Sequence, residues 1–451
     1  MSELRHIIRQ ATPVLVGQLA VMAFGVTDTI VAGRYSQQAL AALSVGTAVF
    51  ISVFIGLVGV LQVLLPEWAE LNGAGRPRDV GRSVRQSLYL AAILTLIGGL
   101  VLVFSDPVLN WTDVPVSLQG DVKDYLSALA FALPATLLFR MYGSLNQALH
   151  KPLLVTVLQA LALGLKIPLS IWFAFGGWGL DAHGAVGCAW ATVTVNYLLL
   201  AGAVVLLRTQ AIYRPYALWS RMEPPDWKAI GHTLRLGIPA GLSVMVEVTS
   251  FTLMALFIAR QGTLASAAHQ ITTNIAALIY MMPLSIGIAT SARVSYWLGS
   301  GDAKKARGAI RAGLKLAISN AVMLSVIVGL GREHIAAIYT SNPQVAAVAA
   351  GLLMWLAAYQ VADALQGVSI FVLRSYRVAV APLVAYCVLL WGAGLWGGYM
   401  LAYRGIGPFG PLNSPAAFWI MSTVALAMVA IVLALILWQA VRSYRPLLQA
   451  A

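Results

Sequence analysis

Long apolar runs separated by short polar segments dominate the chain. Ala11–Ala32, Leu88–Phe104, Ala185–Leu207 and Ala416–Leu437 are typical. Each is long enough to cross a bilayer, because a spanning helix needs about 20 apolar residues. The period-two alternation of a membrane β-barrel is absent. The pattern predicts twelve helices, at about 11–33, 44–66, 86–106, 124–149, 153–175, 184–207, 231–259, 269–291, 308–330, 346–372, 381–402 and 415–441. The first run follows a short basic lead, Arg5 and Arg9, lacks a small-residue cleavage site and outruns a signal peptide. It is expected to be the first helix. The fold class expected is therefore an all-α polytopic membrane protein.

The pattern also repeats. Shifted by 226 residues, Pro13 falls on Pro239, Arg34 on Arg260, Gly73 on Gly299, Gly75 on Gly301 and Arg85 on Arg311. The loop Leu71–Arg78 falls on Trp297–Lys304, and at a shift of 228 Gly164–Ile171 meets Gly392–Tyr399. Six helices have been duplicated. An even number returns the chain to its starting side, so the halves are parallel and relate by a pseudo-twofold axis along the membrane normal, a recurrent transporter plan. The expected division is an N-lobe at 1–207, a basic, Pro-containing linker at 208–230 and a C-lobe at 231–451.

Composition sharpens this picture. Of 451 residues, 60% are hydrophobic and 10% charged, against roughly 25% charged in a soluble domain. The net charge of +13 could suggest nucleic acid, but the charge follows topology. Assigned to alternate segments, 20 Lys and Arg (Arg374, Arg377, Arg442 and Arg445 among them) fall on one side and five, Arg34, Lys123, Arg260, Arg332 and Arg404, on the other. The positive-inside rule places both termini in the cytoplasm. The surroundings implied are membrane lipid, with no nucleic acid as partner. Cys188 and Cys387 lie in apolar runs and read as inert thiols. There is no P-loop, HExxH, GxSxG or metal-spaced Cys/His set, so neither an enzyme nor a nucleotide-driven pump is expected.

Charges deep in the apolar runs are costly and commonly functional. They are Asp28 in helix 1, Lys166 in helix 5, Glu247 in helix 7 and Asp363 in helix 10. Ser243, Glu247 and Ser250 share one helical face, as do Tyr359, Asp363 and Gln366. Two such acidic, hydroxyl-bearing faces could make an oxygen-ligand cage for a hard cation, or a proton relay. The alternative is that each acid pairs with a basic or amide group and locks helices. At the 226-residue shift Glu247 falls on Val21, Asp28 on Met254 and Asp363 on Leu137, so any ion site is asymmetric. Lys166 and Asp28, opposite in sign and in the same half, are expected to pair. Asn196, with Thr192, either bonds helices together or lines a cavity, and His269 reads as a satisfied interface residue.

Val26–Arg34 (VTDTIVAGR), Gly184–Thr192 (GAVGCAWAT), Ala265–Asn274 and Tyr359–Asp363 (YQVAD) together resemble the multidrug and toxic compound extrusion (MATE) antiporters, in particular the bacterial multidrug branch. The resemblance implies a twelve-helix, two-lobe carrier, acting as a monomer, that exports organic cations against inward Na+ or H+, with Glu247 and Asp363 as the metal ligands if the ion is Na+. It implies no cofactor beyond that ion. By position, Glu247, Asp363 and Tyr359 look like the family's C-lobe cation site and Asp28 like its N-lobe acid. Lys166 stands where family members often carry Asn. A lipid-linked saccharide flippase of the same superfamily is the rival reading.

Overall fold

The structure is a computed structural model that describes residues 3–111, 115–177, 179, 181–405, 408 and 410–444, apart from the side chains of residues 108, 110, 111 and 116. Arg445, counted above among the basic residues, lies outside them. Among the described residues, twelve helices are long and apolar enough to cross a membrane. They are α1 (Glu3–Tyr35), α2 (Gln37–Gly73), α3 (Pro77–Val103), α4 (Ser117–Ala148), α5 (Leu153–Phe175), α6 (Gly184–Thr209), α7 (Trp227–Ala259), α8 (Thr263–Gly299), α9 (Ala303–Tyr339), α10 (Pro343–Ser375), α11 (Val380–Tyr403) and α12 (Ala416–Ser443). Large apolar side chains such as Leu96, Phe104, Leu161, Leu256 and Leu330 are exposed, which suits a hydrocarbon solvent and would be unfavourable in water.

The helices stop where local chemistry satisfies their ends. Ser36 Oγ accepts from Ala39 N at 3.0 Å, and Asp302 Oδ1 from Lys305 N at 2.9 Å. Asn342 Oδ1 accepts from Gln344 N at 2.9 Å, just before Pro343 opens α10. Such side chains replace the partners that the first helical N–H groups lack. The duplication is visible in the C-terminal turns. Arg76 N bonds Leu71 O, and Asp302 N bonds Trp297 O, 226 positions later. Gly75 (φ 69°) and Gly301 (φ 77°) take the left-handed conformation that this closure demands. Two non-glycine copies follow, with Lys151 N on Asn146 O around His150 and Val378 N on Leu373 O around Arg377.

The helices outrun their expected bounds. α8 extends over Thr263–Gly299 and α9 over Ala303–Tyr339. α2 is interrupted at Gln62–Val63, where one helical segment ends at Leu61 and the next starts at Leu64. α11 contains a π-helical stretch, Cys387–Trp396, immediately after Tyr386.

The chain forms two compact units, one of residues 16–241 and one of 1–15 with 242–451. Each boundary therefore falls inside a helix, α1 or α7, and the two cuts are 226 residues apart, the offset of the repeat. In the 16–241 unit the first part of α7 meets α2 backbone to backbone. A Cβ on Gly59 would lie 2.3 Å from Gly241 Cα, and one on Gly241 would lie 2.8 Å from Gly56 O. Only glycine permits such an approach, the small-residue contact favoured between membrane helices.

The expected linker at 208–230 is ordered. It contains a short 3-10 helix, Ala211–Tyr216, and passes into α7 at Trp227. Arg85 of α3 grips it with a bidentate pair to Glu223, 2.8 Å from Nε and 2.5 Å from Nη2, and donates to Ala217 O at 2.8 Å. Gln86 bonds Pro224 O and the Asp226 N–H. The Arg85 guanidinium holds the Glu223 carboxyl down at about 2.

Candidate ion and substrate sites

In the unit containing residues 242–451, α7, α10 and α11 bring two acids to one amide. Gln366 Nε2 donates to Asp363 Oδ1 at 2.9 Å and to Glu247 Oε1 at 3.3 Å. Its Oε1 accepts from the Tyr386 hydroxyl. Gln366, Asp363 and Tyr386 are buried, while Glu247 is half-buried. The amide bridges the two carboxylates and is itself oriented by the phenol. The one-turn spacing of Asp363 and Gln366 on α10 produces this directly.

Tyr359, one turn before Asp363, packs edge-on against Phe251 and Trp419, each with ring centroids 6.1 Å away. Its hydroxyl and that of Tyr280 on α8 lie within electrostatic reach of both acids. Trp419 donates its indole N–H to His269 Nδ1 at 3.3 Å, which makes His269 the satisfied interface residue expected.

One assignment needs correction. Arg374, counted with the basic loop residues, is 5% exposed in the last turn of α10. Its guanidinium lies 4.6 Å over the Phe371 ring, and Glu247 feels its charge. Hydropathy ended helix 10 at 372, three residues early, and the apparent loop cation became an internal one.

The other acid is in the 16–241 unit. Lys166 Nζ lies 2.7 Å from Asp28 Oδ1 and donates to Thr192 Oγ1 at 2.6 Å and Cys188 O at 3.1 Å. Ser170 donates to Asp28 Oδ1 at 3.0 Å and Thr192 to Oδ2 at 3.3 Å. The expected pair of Asp28 and Lys166 is therefore present. Lys166 is 0% exposed, against 11% for the Asp28 side chain. Two charges buried this far stay ionised only if they are paired and their remaining hydrogen-bonding capacity is filled.

The remaining candidates are spent locally. Ser250 donates to Val246 O at 2.7 Å, within its own helix, and Asn196 to Thr192 O at 2.8 Å. Ser243 is fully buried in α7. Cys188 and Cys387 are free thiols. Among the described residues no group of three or more His, Cys, Asp and Glu could hold a metal ion. For sodium at Glu247 and Asp363, the two carboxylates are the available anionic ligands. Gln366 turns its NH2 towards them, a donor where a metal needs an oxygen.

Sequence reasoning missed Tyr386, Tyr280 and Ser170. Ser170 carried a signal, one turn from Lys166 on α5. The two tyrosines, remote in sequence from the acids, carried none.

Twelve helices long and apolar enough to cross a membrane, with buried ionic clusters among them, define a polytopic membrane protein. A sequence profile of the MatE family matches residues 13–172 and 239–400, and the chain belongs to that family. The chain is 39% identical over 422 residues to the probable multidrug resistance protein NorM of Aromatoleum aromaticum, covering 93% of this chain and 90% of that one. It is 33% identical over 444 residues to the multidrug resistance protein PmpM of Pseudomonas aeruginosa, covering 98% and 93%. Among solved structures, the eukaryotic MATE transporter AtDTX14 superposes with a TM-score of 0.85 at 18% identity, covering 98% of this chain and 97% of that one.

Proposed function

We propose that the protein is a secondary antiporter of a bacterial inner membrane that exports organic cations in exchange for inward Na+ or H+. The observation that carries this reading is the bridge of Gln366 between Glu247 and Asp363. Two acids sharing one amide in a lipid-embedded unit attract a single small cation, a metal ion or a proton, and respond to its loss with a change in local charge. Expelling a monovalent cation against the membrane potential costs about 2.3 kcal/mol per 100 mV, which one incoming monovalent ion offsets. An ion gradient then drives the export. NorM and PmpM, the relatives described above, are named as multidrug resistance proteins, which favours drug-like cations over lipid-linked saccharides. The skewed distribution of Lys and Arg supports cytoplasmic termini. The protein works as a monomer with lipid around it.

The test is efflux of a fluorescent cation from proteoliposomes under separately imposed sodium and proton gradients. At least one gradient should drive efflux, and Glu247→Gln or Asp363→Asn should abolish it without loss of insertion. Efflux that persists with both gradients collapsed and ATP supplied would refute the reading.

A further inference from the structure

A cavity of about 140 Å³ lies in the 16–241 unit, between the last part of α2, the first turns of α3 and the first turns of α7. That is far more than the roughly 10–15 Å³ that a single water needs. Ser83, Gln86 and Ser87 of α3 and Thr233 of α7 make part of its wall polar. Its ionisable groups are three carboxylates, Glu67, Asp79 and Asp226, and one guanidinium, Arg82. Asp79 pairs with Arg76 at 2.6 Å. The other two acids have neutral donors that leave their charge in place. Ser83 donates to Glu67 at 2.6 Å, and Asp226 caps α7 by accepting from Lys228 N and Ala229 N, each at 3.1 Å. With the Asp79–Arg76 pair set aside, two carboxylates face one guanidinium.

The duplication provides a comparison. At the 226-residue offset Glu67 corresponds to Arg293 and Ala229 to Glu3, and in the other unit those two residues form a bidentate pair at 2.8 and 3.2 Å. The uncharged polar positions change character as well. Thr233 corresponds to Ile7, Ser83 to Ala309 and Gln86 to Ala312, and Ile7 has no exposed surface. The same fold therefore packs this place with an ion pair of its own and with apolar side chains. In the 16–241 unit an acid stands where the arginine would be and a methyl group where the glutamate would be. Neither the helices nor their packing demands the polar wall, and buried polar groups are costly unless something meets them.

The cavity sits where the surface passes from charged to apolar. Trp227, next to Asp226, is 66% exposed, and Leu88, next to Ser87, is exposed too. An exposed Trp beside charged turns marks the headgroup layer of a bilayer. Among the described residues no group of three acids could hold a metal ion, so the wall suits a cation that brings its own N–H donors. A primary ammonium has three. We propose that this cavity is a lipid-headgroup site for phosphoethanolamine: the ammonium meets Glu67 and Asp226, and the phosphate stays at Arg82, which is exposed. Bound there, the headgroup joins the first turns of α7 to α2 and α3, beside the linker residues that Arg85 and Gln86 already hold. The site is independent of the antiporter reading.

The experiment needs no transport. Purified full-length protein in an uncharged detergent is titrated with short-chain phosphatidylethanolamine, with phosphatidylcholine of the same chains, and with free phosphoethanolamine. Thermal unfolding reports binding, because a ligand of the folded state raises the melting temperature. Phosphatidylethanolamine should raise it saturably. Phosphatidylcholine, whose nitrogen carries three methyl groups and no N–H, should bind about tenfold more weakly or worse, the factor expected for one charge-assisted hydrogen bond. Glu67→Gln keeps an acceptor for Ser83 and Asp226→Asn keeps the helix cap, but each removes a charge. Each should weaken phosphatidylethanolamine about tenfold and leave phosphatidylcholine as it was. Thr233→Ile introduces the side chain of the sealed copy and should abolish the shift. Equal shifts from the two lipids, or wild-type affinity for phosphatidylethanolamine in these variants, would overturn the proposal. So would free phosphoethanolamine binding as tightly as the lipid, since the site would then serve a soluble ligand. If the variants do not fold, the comparison of the two lipids on wild type decides.

Discussion

Gln366 shows how one uncharged side chain can set the behaviour of two charged ones. Its NH2 is shared between Asp363 and Glu247, and Tyr386 fixes which end of the amide points to them. Gln366→Leu leaves both acids without their common donor. Hydrogen bonds to charged groups contribute about 1.5–3 kcal/mol each, so gradient-driven efflux should fall roughly tenfold or more, with the amount of folded protein little changed. Tyr386→Phe removes only the orienting bond, a neutral contact of about 1 kcal/mol, and should lower efflux by a smaller factor. Equal rates for Gln366→Leu and wild type in the vesicle assay would show that the bridge plays no part in transport. The cost of burying charge was enough to single out Asp28, Lys166, Glu247 and Asp363 from sequence, and helical spacing added Gln366. Spacing could not reveal Tyr386, 20 residues beyond Gln366 on a different helix, because which helix faces which is settled by packing. Ser250 misled for a related reason: it has the right spacing from Glu247, but its hydroxyl satisfies its own backbone.

The number, type and order of the helices were legible because lipid demands unbroken apolar length. Their ends were not. α8 and α9 carry polar turns beyond the apolar stretch, where a helix no longer has to be apolar and hydropathy no longer reports it. The caps were readable signals at Asp302 and at Asn342 before Pro343. Missing the last turn of α10 is what misplaced Arg374. Within α7, two glycines are informative in opposite ways. At Gly241 an added side chain meets the α2 backbone, while at Gly231 a Cβ would meet nothing within 4 Å. Gly241→Leu should therefore destabilise the protein by about 1–3 kcal/mol, through overpacking that neither helix can relieve by a rotamer change. Gly231→Ala should be neutral or stabilise by up to about 1 kcal/mol, since it removes a flexible residue from a helix. Thermal unfolding in detergent distinguishes them, and a melting temperature for Gly241→Leu equal to wild type would contradict the close packing.

The duplication was plain in the sequence, and the boundaries chosen from it, 207 and 230, followed the loops. The contacts divide the chain elsewhere, after residues 15 and 241. A hydrophobic pattern says that α1 and α7 are helices, but not that each begins in one unit and finishes in the other. A cut in the linker tests this. The fragment 1–220 lacks residues 221–241, which belong to its own unit, and carries residues 3–15, which belong to the other. Expressed alone it should aggregate or be degraded; expressed with 221–451 it should reassemble, as judged by gel filtration. A monodisperse, stable 1–220 would argue against the division. The exchange also bears on ancestry. Two identical chains that trade equivalent arms form a swapped dimer, and this protein has that arrangement within a single polypeptide, with both arms ending at equivalent positions. The simplest history is a six-helix homodimer whose genes fused after the arms had been exchanged. Fusion replaced a concentration-dependent encounter with a tether. It also freed the copies from being identical, so one could acquire Glu247 and Asp363 while the other kept a lysine beside its aspartate.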